Sequence, residues 1–377
     1  MWFVLPAVAS ADPSFPPPHG CEVPLRAFQR PPTDGFLSVV SDARPVRVWF
    51  DSTHPNSQEI VPRVLETLER AWDVQVDQIG FRPPVLPDAA DGPEFDVYLV
   101  DYQPFAAFVS ADGYDTDPAL GDGYNAASAF MVVDRELPMQ AVPSYLSHEF
   151  NHVLQYATDF SEPTLPLWEG TATAAQEWTV AEEGYWSYDV PSFQEIPWAP
   201  ALVGDSYTIW YATGLGYSYE YGAALWVRML DEKRGDGQGS GGVALWEATA
   251  NEGFGGEPDV VDAFAEVWGG SVADGLNQLA LVRFLTGDDW DPRGLSDAGD
   301  WKPKAAVPAA PLTASDLQQP FVPDPAPAIT GQVFVDVDLT AGALPAGDDP
   351  WLVVTATSST GLQSGLMVAW WDDAGGV

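Results

Sequence analysis

Around residue 150, apolar side chains fall at Leu146, Phe150, Val153, Leu154 and Ala157, the three-and-four spacing of one helix face. That stripe leaves His148, His152 and Tyr156 to another face. Upstream, Val46–Phe50 reads as a strand, and residues 56–76 as a helix with Ile60, Val64, Leu65, Leu68 and Trp72 turned inward. Phe95–Val100 predicts a second strand, and Ala129–Asp134 another directly before the histidine-bearing helix. Together these segments make a β-α-β opening. Residues 182–213 are rich in Trp, Tyr and Pro with little periodicity, which predicts loops walling a cleft. Residues 219–230 pattern as a helix with Ala223, Trp226, Met229 and Leu230 on one side, and further helices follow over 243–250 and 258–284.

The fold class is therefore α+β, with the sheet early and helices late. Residues 332–338, 351–356 and 367–371 alternate or run β-branched, predicting a small β module, either an incomplete sandwich or a truncated one. Proline-rich stretches at 12–44 and 303–328 read as linkers, the first alternatively as a pro-region. They leave 45–302 as the main domain and 329–377 as the β module. Residues 1–11 form a short apolar run ending Ala9-Ser10-Ala11, the small-residue pattern of a signal-peptide cleavage site, though without a basic start. The expected location is secreted, periplasmic or extracellular. The single cysteine, Cys21, permits no internal disulfide and reads as a free thiol, with His19 beside it incidental.

Charge narrows the partners. The 377 residues carry 55 acidic against 15 basic side chains, a formal net charge of −40 that disfavours nucleic acid and anionic membranes. No apolar run is long enough for a membrane span. An acidic, glycine-rich stretch at 112–125 offers Ca²⁺ a set of carboxylates in Asp112, Asp115, Asp117 and Asp122. Its spacing is not that of an EF-hand, and turn chemistry alone also accounts for Asp and Gly there.

The candidate chemistry lies in the helix described first. Of four histidines, two stand four apart with Glu149 between them, so both imidazoles project from one helix face toward a single Zn²⁺. A third ligand is needed. Glu169, separated from His152 by sixteen intervening residues and opening a second helix, supplies it, with Glu162 and Glu177 as competing acids. A structural zinc site would need a fourth protein ligand, and no cysteine or third histidine stands nearby. The set therefore favours an open, catalytic site.

The segments H148-E-F-N-H152 and L-W-E169-G-T-A resemble those of the gluzincin metallopeptidases, and the E-G-T-A-T variant is most similar to secreted myxobacterial metalloproteases of that kind. The resemblance implies a zincin-type catalytic domain, zinc on His148, His152 and Glu169, and hydrolysis of a peptide or protein substrate. Glu149 would take a proton from a water acidified by the metal and return it to the leaving amine. S-Y219-E-Y221-G-A-A-L resembles the Y-E-K-G segment of the aminopeptidase branch, which implies that Tyr219 stabilises the oxyanion, with Tyr217 and Tyr221 as rivals. The resemblance also implies that Ala129–Asp134 is the sheet edge along which substrate lies. Thr173 stands where thermolysin-like enzymes place an acid. No G-x-M-E-N counterpart grips a free N-terminus, which favours an endopeptidase over an aminopeptidase. The remaining alternative is an inactive secreted binding or adhesion protein on the same scaffold.

Overall fold

A computed structural model describes residues 29–86, 92–101, 106–111, 124–183, 185–204, 206–250, 259–287 and 290–300, with the backbone of strands at 2–6, 310–313, 332–338 and 367–369. His19, Cys21 and the candidate calcium ligands Asp112, Asp115, Asp117 and Asp122 lie outside the described residues, as do most of the two proline-rich stretches and residues 351–356. The chain is α+β. Strand β1 is Trp2–Pro6, β2 Leu37–Val40, β3 Val46–Phe50, β4 Phe95–Val100, β5 Ala107–Ala111 and β6 Ala129–Asp134. Five of them form a mixed sheet in the order β2-β3-β4-β6-β5, parallel through β3, β4 and β6 and antiparallel at both edges. Helix α1, Pro55–Ala71, lies between β3 and β4 in sequence and α2, Val142–Tyr156, follows β6. After α2 come α3 (Leu165–Val180), α4 (Val190–Gln194), α5 (Ser206–Thr213), α6 (Tyr219–Gly222) and α7 (Ala224–Arg234). The helical half closes with α8 (Ser240–Thr249), α9 (Val260–Trp268) and α10 (Val272–Phe284).

Four expectations change. Ala129–Asp134 is paired on both sides, by β4 and β5, so the sheet edge beside α2 is β5. Leu37–Val40, inside the stretch read as a linker, forms the opposite edge; its four side chains are exposed, so it lacks the buried alternation that marks a strand. The segment 182–213, expected as loops, contains α4 and α5. A second sheet has the order β7-β8-β1-β9, with β7 Ala310–Thr313, β8 Gln332–Asp338 and β9 Met367–Ala369. Trp2–Pro6, within the run read as a signal peptide, is the strand between β8 and β9.

The way α2 is held matters most for the site. Its apolar face packs on the sheet and α1: the Phe150 ring meets Trp72 at 5.8 Å and Phe95 edge-on at 6.3 Å. Truncating so buried a ring costs about 3–5 kcal/mol, so Phe150 anchors the helix in rotation as well as position. The opposite face is polar yet also buried, with Ser147, Asn151 and Gln155 all at 0 % exposure. Burial without partners would be prohibitive; Ser147 Oγ donates to Pro143 O at 2.7 Å within the helix, and further partners come from outside it. Helix α1 runs on as a π-helical segment, Trp72–Ile79, ended by Gly80 in the left-handed region at φ 99°. From that segment Gln75 Nε2 donates to Ser147 O at 2.9 Å and Thr179 Oγ1 at 3.0 Å, while Asn151 Nδ2 donates to Gln75 Oε1 at 3.0 Å. Helix α3 begins with Pro166 in its first turn, where a missing N–H costs nothing, and continues through small residues. A Cβ on Gly170 would sit 3.1 Å from the Ala223 carbonyl carbon, so glycine here lets the α6–α7 junction approach α3 closely.

Candidate metal centre

Helices α2 and α3 bring the three predicted ligands together. His148 Nε2 lies 3.0 Å and His152 Nε2 3.4 Å from the same oxygen, Glu169 Oε2, and the two imidazole Nε2 atoms are 3.2 Å apart. Among the described residues this is the one His/Cys/Asp/Glu group placed to hold a metal ion. The competing acids face elsewhere. Glu162 accepts from Thr164 N at 2.7 Å, and Glu177 lies 3.9 Å from Arg228.

Ring orientation is set by neutral groups. His152 Nδ1 donates to Gln155 Oε1 at 2.7 Å, which turns Nε2 toward the group. Gln155 Nε2 in turn donates to Asn151 Oδ1 at 2.7 Å and to Trp168 O at 3.0 Å. The chain Gln75, Asn151, Gln155, His152 is thus a line of amides ending on a candidate ligand. His148 Nδ1 has Thr173 Oγ1 at 3.5 Å, a long contact at the position where a carboxylate stands in thermolysin-like sites. Gln155, three residues after His152 on the same helix, is the sequence signal for this bond, but an amide there is too common a residue to single out without the structure.

Electrostatics at the group follow from crowding two imidazoles and a carboxylate out of water. Burial disfavours charge on each, but proximity wins. His152 is pushed up to about 9, because Glu169 and then Glu149 outweigh the burial that would lower it. Glu169 is held well below the usual carboxylate range by His152 and His148, again against burial. A proton here stabilises what a dication would stabilise more strongly. Two nitrogens and one oxygen are a donor set for a borderline transition-type ion rather than for calcium, which takes six to eight oxygens.

Glu149 stands outside the ligand group on the wall of a cleft of about 360 Å³ that also exposes His148. Burial raises its carboxyl above the ordinary range, offset only in part by the two imidazoles. One side of the cleft is formed by α2 and Thr173 of α3, the other by Tyr188, Asp189, Ser218 and Tyr221, and Ala106 and Ala107 at β5 close one end. Tyr221 stacks on His148 with ring centroids 5.7 Å apart and planes at 23°. The Glu169 charge, burial and then Glu220 and Glu149 keep its hydroxyl protonated well above the usual tyrosine range, so it is a donor. Tyr219 is not brought to the site. Its ring is fully buried against Phe193 at 4.8 Å, and its hydroxyl donates to Pro200 O at 3.2 Å and Ala199 O at 3.4 Å. Two residues on a helix are about 200° apart, so only one of the pair can face the cleft. Tyr217 is 77 % exposed and packs on Trp210, outside the cleft wall.

No protein-family model matches this chain, and no curated protein is similar to it in sequence.

Proposed function

We propose that this chain is a secreted zinc-dependent peptidase of the gluzincin kind, with a zincin-type catalytic domain, cutting within polypeptide chains. One observation carries the reading. Two imidazole Nε2 atoms and one carboxylate oxygen converge at 3.0–3.4 Å beside a raised, cleft-facing Glu149. Ligands at about 2.0–2.1 Å around a tetrahedral zinc stand roughly 3.3–3.4 Å apart, so the three side chains fit the ion with little rearrangement. Three protein ligands leave a position open, as catalysis requires.

Zinc held there would polarise a substrate carbonyl and acidify a water next to it. Glu149, whose carboxyl burial raises above its ordinary range, would accept the proton of that water and pass it to the leaving amine nitrogen. The Tyr221 hydroxyl, protonated and beside His148, donates to the oxygen on which charge develops. That assigns to Tyr221 the role the resemblance implied for Tyr219. The edge strand β5, whose start lines the cleft, offers backbone groups to an extended substrate, a mode indifferent to most side chains.

Metal analysis and a cleavage assay test the reading together. About one zinc per chain is expected, with cleavage of an unfolded protein lost to 1,10-phenanthroline and restored by added zinc. Zinc content undiminished in His152→Ala, or metal-loaded protein that leaves unfolded proteins and peptides intact, would overturn it.

A further inference from the structure

The cleft holds a carboxylate that the mechanism above does not use. Asp189 occupies the position just before α4, where an aspartate ordinarily accepts from the first free N–H groups of the helix, yet its side chain makes no such bond. It turns instead into the cleft, beside Ser218, whose hydroxyl donates to it. Its approach is fixed by Gly222, since a Cβ there would lie 2.5 Å from Asp189 O. Burial raises its carboxyl above the ordinary range, the Ser218 hydroxyl acts against that, and among the described residues no lysine or arginine lines the cleft. Two aromatic rings share the same walls: Tyr188 is 82 % exposed and Tyr145 45 % exposed. A carboxylate with no lysine or arginine beside it among the described residues, in a cleft lined by open aromatic faces, recognises an organic cation by charge and by the ring quadrupole together. The surrounding chain, at −40, further concentrates cations at the cleft mouth.

We propose that Asp189, with Tyr188 and Tyr145, forms a subsite for a basic side chain, so that the preferred substrates are polypeptides carrying Arg or Lys next to the cleaved bond. The inference rests on the peptidase reading for its use but not for its test. Nα-acetyl-arginine amide and Nα-acetyl-norleucine amide are titrated calorimetrically into the parent and into Asp189→Asn. The parent binds the arginine amide about tenfold more tightly, and Asp189→Asn closes the gap to within about twofold. Tyr188→Ala, at an exposed ring whose loss leaves the core alone, narrows it by roughly threefold. In a second arm, N-terminally blocked peptides differing only in Arg, norleucine or Glu at one position are compared by the ratio of their kcat/KM values. The same collapse of the ratio is expected.

Equal affinity of the two amides in the parent overturns the subsite, whatever the protein cleaves. An Asp189→Asn variant that loses an unblocked, neutral peptide while keeping its preference for the blocked arginine peptide overturns it too, because the carboxylate then holds a substrate N-terminus. No hydrolysis of any peptide, with the arginine preference intact, would sink the peptidase reading and leave the subsite standing.

Discussion

Replacing Gln155 with methionine tests whether an uncharged amide governs a metal ligand. Gln155 is fully buried, and three polar groups depend on it: His152 Nδ1 at 2.7 Å, Asn151 Oδ1 at 2.7 Å and Trp168 O at 3.0 Å. Methionine fills nearly the same space and satisfies none of them. Each orphaned group costs about 1–3 kcal/mol, so the variant loses on the order of 3 kcal/mol or more. For a domain of this size that lowers Tm by roughly 6–12 °C. The His152 ring also loses the bond that selects its tautomer, and metal affinity should fall about 10–100-fold. Gln155→Glu separates the two effects. A carboxylate still accepts from His152 Nδ1, so affinity holds, but it opposes Asn151 Oδ1 and Trp168 O with a second acceptor, so stability falls. Competition against a chromophoric zinc chelator reads the first quantity, and thermal unfolding in excess chelator reads the second. If Gln155→Met binds zinc within about twofold of the parent, or if both variants lose metal equally, Gln155 does not orient the ligand.

Glu149→Gln should keep its metal and lose turnover by several orders of magnitude, since an amide takes no proton; near-parental hydrolysis of a good peptide would remove Glu149 from the chemistry. Tyr221→Phe should lower kcat about a hundredfold with KM little changed, whereas Tyr219→Phe should affect only stability, by about 1 kcal/mol; the reverse pattern in steady-state kinetics returns the role to Tyr219. In metal-free protein His152 is pushed up to about 9 from an ordinary 6.5, so its contribution to stability is complete below about 6.5 and lost as pH rises through 9. Chelated protein should therefore melt at lower temperature at pH 9.5 than at pH 6.5, while zinc, which takes the proton's place, should abolish that loss; a chelated Tm unchanged over the interval would refute the pairing with Glu169.

The meeting of His148, His152 and Glu169 was legible because a helix converts a spacing of four into convergence without help from the rest of the fold, and Glu169 was proposed from the need for a third donor. The choice among tyrosines was not. Tyr219 and Tyr221 are separated by the rotation of α6 about its axis, and that rotation is fixed by distant close approaches at Gly170 and Gly222. The edge of the sheet was likewise hidden. Ala107–Ala111, AFVSA, is short and made mostly of small residues, so β6 was given the role that pairing assigns to β5. Asp189 lay in a segment without periodicity, where only the three-dimensional path of α4 and the turn before it reveals the direction of a side chain.

The π-helical segment after α1 also bears on the order in which the protein assembles. Gln75 reaches Asn151 across 76 positions of sequence and Thr179 across 104. An α2 helix formed early would hold His148 and His152 on one face, but with Asn151 and Gln155 still exchanging bonds with water the His152 tautomer would be unselected. Contacts of such separation form late, after loop closure has been achieved by the sheet and α1. A chain in which these long-range bonds have not formed therefore has the motif without yet having the oriented His152 ring.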